Sequence, residues 1–139
     1  MKNQQDRFAE LINRINEISD DDLVPWLKRA DRVCKSFSAK THNKRGVKSC
    51  VYIVLLKIIR KKQSGYALYV GKTIRTPDER FQQHKEGYKA SRYVKKWGVR
   101  LLPELFEHLN PMSAAEATEF EASIAEALKA AGVPTYGGH

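Results

Sequence analysis

Two stripes of apolar side chains with helical spacing open the chain. The first consists of Phe8, Leu11, Ile12, Ile15 and Ile18, and the second of Leu23, Trp26, Leu27, Ala30, Val33 and Phe37. An acidic run over residues 19–22 separates them and provides N-cap candidates for the second helix. We predict a helical hairpin over residues 1–38, whose stripes pack on the rest of the chain or on a second copy.

The next segments lack helical periodicity. Residues 39–49 alternate basic with small polar side chains, which is typical of a linker or of an arm that orders on a ligand. Residues 50–56 and 66–70 are rich in β-branched and aromatic side chains and predict a β-hairpin. We expect Gly71 to end the second strand.

Helix signals return after the hairpin. Thr76 precedes Pro77, and Glu79 follows three residues after Thr76, which is the pattern of a capped helix start. This helix is expected to run to about residue 87, and a short second one to cover residues 91–97.

The last part of the chain predicts one strand and one long helix. Residues 99–106 form the expected third strand, bent or placed at a sheet edge by Pro103. The final helix is expected to start at Ser113 and to stop near residue 131, before a glycine and a proline.

The distribution of charge points to a polyanionic partner. Residues 35–100 contain 18 Lys or Arg against 3 Asp or Glu, whereas the segments before and after them contain more acidic than basic residues. A segment of this charge binds phosphate backbones through counterion release. This favours a nucleic-acid protein over a solvated basic face or a binder of anionic lipid.

Length and composition exclude some other classes. The 139 residues fit one domain, with at most an appended subdomain. The two cysteines, Cys34 and Cys50, have no metal-ligand spacing, and no export signal opens the chain, so we expect a cytoplasmic protein. The longest apolar run, over residues 51–59, contains Lys57 and is shorter than the roughly 20 residues of a membrane span.

One carboxylate lies within an apolar stripe of the final helix. A turn of about 100° per residue places Glu121 on the side that carries Phe120, Ile124 and Leu128. A carboxylate that faces a core is costly unless a cation or hydrogen-bond donors meet it. The alternatives are a buried salt bridge and a side chain that reaches solvent from the edge of the stripe.

Tyr52 and Tyr69 fall on one face of the predicted hairpin. A four-residue loop at 59–62 would place them directly opposite each other, and a longer loop centred on 60–65 would separate them along that face. The sequence does not choose between these registers. Aromatic cross-strand pairs also stabilise sheets without taking part in chemistry.

Arg80 and His84 project from one face of the capped helix, near its N-terminus. Backbone N–H groups, the helix dipole and an arginine fork attract phosphate there, and Lys72 and Thr73 add donors in the preceding loop. The alternative is a solvated helix face.

In this order and spacing, these residues resemble the GIY-YIG nuclease family over roughly residues 50–138. Cys50-Val51-Tyr52 corresponds to the motif of the first strand and Tyr69-Val70-Gly71 to that of the second. Arg80 corresponds to the arginine of the following helix, and Glu121 to the glutamate of a later helix. Residues 1–49 lie outside the resemblance, as a helical extension over 1–38 and a basic linker over 39–49.

The resemblance implies an α+β fold, with a small three-stranded antiparallel sheet flanked by helices, here joined to the N-terminal helical hairpin. It also implies a metal-dependent endonuclease that hydrolyses phosphodiester bonds in nucleic acid, with DNA favoured. For DNA binding we expect contributions from the following residues: Gly71, Lys72, Thr73, Arg75, Lys95 and Lys96.

The resemblance further implies roles for the site residues. Glu121 would bind one Mg²⁺ or Mn²⁺ ion, and Arg80 would stabilise the pentavalent phosphorane. Tyr52 or Tyr69 would act as general base or orient the attacking water. His84 would help to position or to deprotonate that water. A free tyrosine, with a pKa of about 10, is a poor base at neutral pH, so cationic neighbours and the metal must favour the phenolate.

Two positions depart from the family pattern. Cys50 stands where the first motif has a glycine. The family often places an asparagine after the last helix, whereas residues 134–139 contain none, and His139 is a candidate substitute.

Two other hypotheses belong to different classes. The first is a DNA- or RNA-binding module that keeps the fold without turnover, against which the retention of Tyr52, Tyr69, Arg80 and Glu121 argues. The second assigns residues 1–38 to a homodimer interface or to docking of a partner.

Overall fold

The computed structural model describes residues 23–60 and 65–138. The predicted first helix, the acidic run over residues 19–22 and His139 lie outside the described residues. Within the described ranges the elements follow in this order: α1 (Leu23–Lys35), β1 (Cys50–Ile58), β2 (Gly65–Thr73), α2 (Pro77–Glu86), α3 (Arg92–Trp97), β3 (Gly98–Leu101), α4 (Pro103–Phe106), a 3-10 turn (Glu107–Leu109), α5 (Ala114–Ala130) and β4 (Thr135–Gly137).

The described strands form one mixed sheet in the order β3-β1-β2-β4. β1 pairs antiparallel with β2 and with β3, as expected, while β4 pairs parallel with β2. The α+β class is confirmed, but the prediction of a three-stranded antiparallel sheet is wrong. β4 has only three residues, too few for a detectable period, and it forms because the outer edge of β2 offers free backbone groups: Leu68 N donates to Pro134 O and Gly138 N to Val70 O.

The sheet is covered on both faces. Every residue of β1 is buried except Lys57, although successive side chains of a strand point to opposite faces. α5 packs against β2, β4 and β1, and α3 packs against β1 and β3. The near-continuous apolar sequence of β1 therefore reflects its central, two-sided burial.

The predicted helix starts are present. The hydroxyl of Thr76 accepts a hydrogen bond from Glu79 N, and that of Ser113 accepts one from Glu116 N. Both caps satisfy backbone donors that a helix leaves unpaired in its first turn. Because these signals lie within a few residues of each other, the sequence alone reveals them.

Residues 99–106 do not form the single strand that the sequence predicted. β3 ends at Leu101, and α4 begins at Pro103. Proline suits the first turn of a helix, where its missing N–H costs no hydrogen bond, and Leu105 and Phe106 of α4 are buried. The second strand also differs from the prediction, because β2 continues past Gly71 to Thr73.

α1 packs against its own chain. Leu27 and Ala30 of the predicted second stripe are fully buried, and Arg29 Nε donates to Ala131 O, just after α5, at 3.0 Å. The interior side of this helix is thus covered within one molecule. Dimerisation through the N-terminal segment stays a prediction, and its remaining part, residues 1–22, lies outside the described residues.

The basic segment before β1 is fastened to the start of α5. The carboxylate of Glu116 accepts hydrogen bonds from Lys40 N at 2.8 Å, from Thr41 N at 2.6 Å and from the Thr41 hydroxyl. The same hydroxyl accepts a bond from Ser113 N. Contacts within the chain therefore hold this segment in place.

The side chain of Asn110 pairs with the backbone of β1 on the side of the strand that faces β3. β3 pairs with β1 only at residues 54–56, so the backbone of Val51 has no strand partner on that side. There the Asn110 amide accepts a hydrogen bond from Val51 N at 2.9 Å and donates one to Val51 O at 2.7 Å. One side chain thus replaces a strand at the residue that precedes Tyr52.

We expect Asn110→Ala to lower the free energy of unfolding by about 1–3 kcal/mol, because it leaves two buried backbone groups of Val51 without partners. Urea unfolding at pH 7 measures the change. The matched control is Gln82→Ala, which removes an amide bonded to Glu86 on the exposed face of α2 and should change stability by less than about 0.5 kcal/mol. Equal effects of the two variants would contradict the role given to Asn110.

Candidate active site

The register of the hairpin brings Tyr52 and Tyr69 together. Tyr52 lies opposite Gly71, and Tyr69 lies opposite Val54, so the two tyrosines are diagonal neighbours on one face. Their ring centroids are 6.3 Å apart. The register falls between the two that the sequence left open, since the residues between the strands are 59–64.

Gly71 is required by the position of the Tyr52 ring. A Cβ atom at residue 71 would lie 2.4 Å from both Cζ and Oη of Tyr52, well inside van der Waals contact. Tyr52 itself is 2 % exposed, and buried side chains pack closely against their neighbours. The glycine of the Tyr-x-Gly pattern therefore allows the phenol of the neighbouring strand to lie across the backbone.

His84 connects the helical layer to Tyr52. The side chain is buried, its Nδ1 accepts a hydrogen bond from Ser91 N at 2.9 Å, and its Nε2 lies 2.8 Å from Tyr52 Oη. A backbone N–H can only donate, so Nδ1 carries no proton, and the proton of the neutral ring is on Nε2. We assign this tautomer from the hydrogen-bond network. In it, His84 donates to the oxygen of Tyr52.

Burial sets the protonation of the cluster. Burial, reinforced by the charge of Arg80, lowers the pKa of His84 to about 4, so the ring is neutral at pH 7. Burial also raises the pKa values of Tyr52 and Tyr69 above their ordinary values; Arg80 opposes this rise, and the Glu121 carboxylate adds to it. Without a bound ligand, both phenols therefore keep their protons at neutral pH.

Arg80 is held by the loop that follows α2. Its guanidinium donates to Tyr88 O at 3.2 Å and to Lys89 O at 2.8 Å, and also to the side chain of Gln83 at 3.2 Å. Partners on two loop carbonyls fix the plane of the guanidinium. The cation is thus oriented beside the tyrosines before any ligand arrives.

Glu121 is buried on the sheet-facing side of α5, with 7 % of its surface exposed. Its carboxylate therefore does not project into solvent from the edge of the apolar stripe. The helix that carries it packs against β2 and β1, the strands of Tyr69 and Tyr52, and its charge raises the pKa values of both phenols. The hairpin, α2 and α5 thus contribute to one site.

A family model of the GIY-YIG catalytic domain matches residues 48–133. The chain belongs to the GIY-YIG family. Members of this family are endonucleases that generally use a divalent metal, and their substrate is nucleic acid. No curated protein and no solved structure matches the chain. None of the helices in the described ranges is both long and apolar enough to span a membrane.

The donor set of this GIY-YIG domain fits a metal that the substrate helps to bind. The described residues contain no group of three or more His, Cys, Asp or Glu side chains that could enclose an ion. A closed zinc site needs four such ligands. Mg²⁺, in contrast, keeps several waters and binds through one or two carboxylates together with substrate phosphates. The buried carboxylate of Glu121 suits that mode.

Of the predicted DNA-binding residues, Gly71 lies against the Tyr52 ring, and the others lie at neighbouring strand, loop and helix positions. Lys72 is exposed and donates to the Thr118 hydroxyl of α5 at 2.7 Å, and Arg75 lies 3.7 Å from the carboxylate of Glu79. Lys95 and Lys96 are exposed on α3. Lys72 borders a separate small cavity together with Thr73. The role of these residues in DNA binding stays a prediction.

Sequence reasoning missed the residues that extend the site beyond Tyr69, Arg80 and His84. These three side chains border a cavity of about 560 Å³ that also reaches the following residues: Lys89, Ser91, Arg92, Tyr93, Lys129 and Tyr136. The alternation of basic and aromatic residues at 92–97 was a detectable signal. Tyr136 gave no such signal. It reaches the site only through the pairing of β4 with β2, and it lies outside residues 48–133, which the family model matches.

The locked tautomer of His84 predicts a pH dependence of stability. In the unfolded chain this imidazole binds a proton near pH 6.5, but in the folded chain only near pH 4. The unfolded state therefore binds more protons between these values, and stability falls as the pH decreases. We expect His84 to account for a decrease of roughly 2–3 kcal/mol in the free energy of unfolding between pH 7 and pH 4.

Urea unfolding at several pH values, compared between the native protein and His84→Gln, measures this loss. The variant should show a shallower decrease below pH 6.5, whereas His42→Gln, at an exposed position, should follow the native protein. Parallel curves for the native protein and His84→Gln would show that the imidazole is not held neutral.

Proposed function

We propose that this protein is a metal-dependent endonuclease that hydrolyses phosphodiester bonds in DNA. The observation that carries the proposal is the convergence of Tyr52, Tyr69 and His84, whose ring centroids lie within 6.3 Å of one another, beside Arg80 and Glu121. Phenols, a fixed cation and a buried carboxylate can supply the base, the charge stabilisation and the metal ligand for in-line hydrolysis of a phosphodiester.

In the proposed reaction, a water molecule attacks the phosphorus and transfers its proton to a phenolate. Arg80 neutralises the charge that develops on the nonbridging oxygens of the phosphorane. The bond from phosphorus to the leaving oxygen then breaks, and the released alkoxide takes a proton from solvent water. A divalent ion bound by Glu121 would supply Lewis-acid stabilisation of the phosphate.

We assign the general base to Tyr52. Its oxygen accepts a hydrogen bond from His84 Nε2, and both the charge of Arg80 and a hydrogen bond from it lower the phenol pKa against the effect of burial. These donors, together with the positive charge of a divalent ion bound by Glu121, would favour the anionic form. Tyr69, which borders the cavity, orients the water and the phosphate.

Exposed cations support recognition of the nucleic-acid backbone. Lys72, Arg75, Lys95 and Lys96 are exposed, and within the described ranges Arg75 lies near the carboxylate of Glu79. Such residues contact phosphates irrespective of base sequence. This pattern supports recognition of the DNA backbone by the basic part of the chain.

Cleavage of supercoiled plasmid and of labelled single-stranded DNA tests the proposal. We expect the native protein to cut in Mg²⁺ or Mn²⁺ but not in EDTA, and Glu121→Gln to lower kcat by about 100-fold or more, since it removes the only proposed protein ligand of the metal. Glu119→Gln, at an exposed position of the same helix, is the matched control and should cut like the native protein.

The outcomes separate the competing hypotheses. Binding of both substrates without any cleavage would replace the proposed nuclease by a binding module of the same fold. Equal cleavage by Glu121→Gln and the native protein would show that the assigned site is wrong or that the activity is a contaminant.

The two tyrosines can be distinguished by their pH profiles. A general base contributes about 100- to 10,000-fold to a rate. We expect Tyr52→Phe to lose activity in that range and to leave a residual rate that no longer rises with pH. Tyr69→Phe should lose less and keep the pH dependence of the native protein. Single-turnover cleavage from pH 6 to 10 makes this comparison, and the reverse pattern would move the base to Tyr69.

A further inference from the structure

The cavity beside the catalytic cluster has the charge and size of a nucleotide site. Its volume of about 560 Å³ lies in the range of small-molecule sites. Four cations border it, namely Arg80, Lys89, Arg92 and Lys129, and no carboxylate of the described residues does so. A ligand of this cavity is therefore anionic.

The far wall of the cavity is aromatic. Tyr93 of α3 and Tyr136 of β4 stack with ring centroids 4.6 Å apart and planes inclined by 27°. Trp97 extends the cluster, with its ring centroid 5.9 Å from that of Tyr93, and the guanidinium of Arg92 lies 5.3 Å from the Tyr93 centroid. Aromatic rings combined with cations are the side chains on which unpaired bases stack.

The sheet places this wall one strand from the catalytic tyrosine. Tyr136 is the register partner of Tyr69 in the parallel β2–β4 pair, so both side chains point to the same face. Neighbouring strands lie about 4.8 Å apart. A phosphate held at Arg80 and Tyr69 therefore has its own or the adjacent base within reach of Tyr136.

A base in an intact duplex cannot use this wall, because its faces are covered by its neighbours in the stack. We propose that this nuclease selects DNA with an unpaired nucleotide next to the scissile phosphate, and that the base of this nucleotide extends the stack of Tyr93 and Tyr136 on the side of Tyr136. This inference rests on the proposed function, whose substrate class it narrows. Tyr136 is then a specificity-determining residue rather than part of the hydrolytic machinery.

Binding in EDTA tests the proposal without cleavage. The probes are a 30-base-pair duplex and the same duplex with one bulged 2-aminopurine nucleotide, whose fluorescence is quenched by stacking. We expect the native full-length chain to bind the bulged DNA about tenfold more tightly than the intact duplex and to change the probe fluorescence, as stacking of one base would do.

Variants of Tyr136 test whether its aromatic ring is responsible for the preference for bulged DNA. In Tyr136→Leu, the ratio of the affinities for bulged and intact DNA should fall close to one, and the fluorescence change should disappear. Tyr136→Trp should retain both the ratio and the fluorescence change, because it keeps an aromatic face. Tyr66→Leu is the control, since Tyr66 lies on the same strand as Tyr69 but points to the other face. Thermal unfolding of each variant verifies that it is folded, and Tyr136→Trp tests the proposal even if Tyr136→Leu does not fold.

The results also separate this inference from the proposed function. Equal affinity of the native protein for the two DNAs, or an unchanged preference in Tyr136→Leu, would overturn the inference, even if cleavage depends on Glu121. A preference that requires an aromatic residue at 136 would support the stacking site, even if no metal activates cleavage.

Discussion

The imidazole of His84 carries a hydrogen bond on each nitrogen, and the geometry of the site depends on this ring. Nδ1 accepts from the backbone of Ser91, and Nε2 donates to Tyr52. Because a neutral imidazole has one proton, the first bond determines the direction of the second. The ring also packs against Tyr69, with centroids 6.0 Å apart. The orientation of both phenols is therefore set by how the helical layer rests on the sheet.

Burial favours the neutral form of the three titratable rings in this cluster. The sheet is covered on both faces, and the resulting desolvation raises the pKa values of Tyr52 and Tyr69 and lowers that of His84. All three groups are thus neutral in the free protein at pH 7, while Arg80 and Glu121 supply fixed charges beside them. In the proposed reaction, the phenolate would become favourable only when further positive charge enters. That reaction would therefore be coupled to the binding of a divalent cation together with the substrate.

Local signals were predictable from the sequence, and long-range ones were not. The caps at Thr76 and Ser113 act within three residues, and their helices were predicted correctly. The spacing of the four motif residues indicated the family, and the structure brings their elements together. The register of the hairpin depended on loop residues 59–64, which the sequence could not place. Pro103 fits a strand edge or a helix start equally well, and only the burial of Leu105 and Phe106 distinguishes the two. Pairing of β4 with β2 joins residues almost seventy positions apart, so no local sequence pattern could predict that Tyr136 lies at the site.

β4 has three residues and is attached to the sheet through β2 alone. Short edge strands open with a smaller free energy than central ones. Such an opening removes Tyr136 from the cavity but leaves Tyr52, Tyr69 and Arg80 on β1, β2 and α2. The substrate selection proposed for Tyr136 would thus depend on a unit of lower local stability than the proposed hydrolysis. On warming, this selection would be lost at a lower temperature than cleavage.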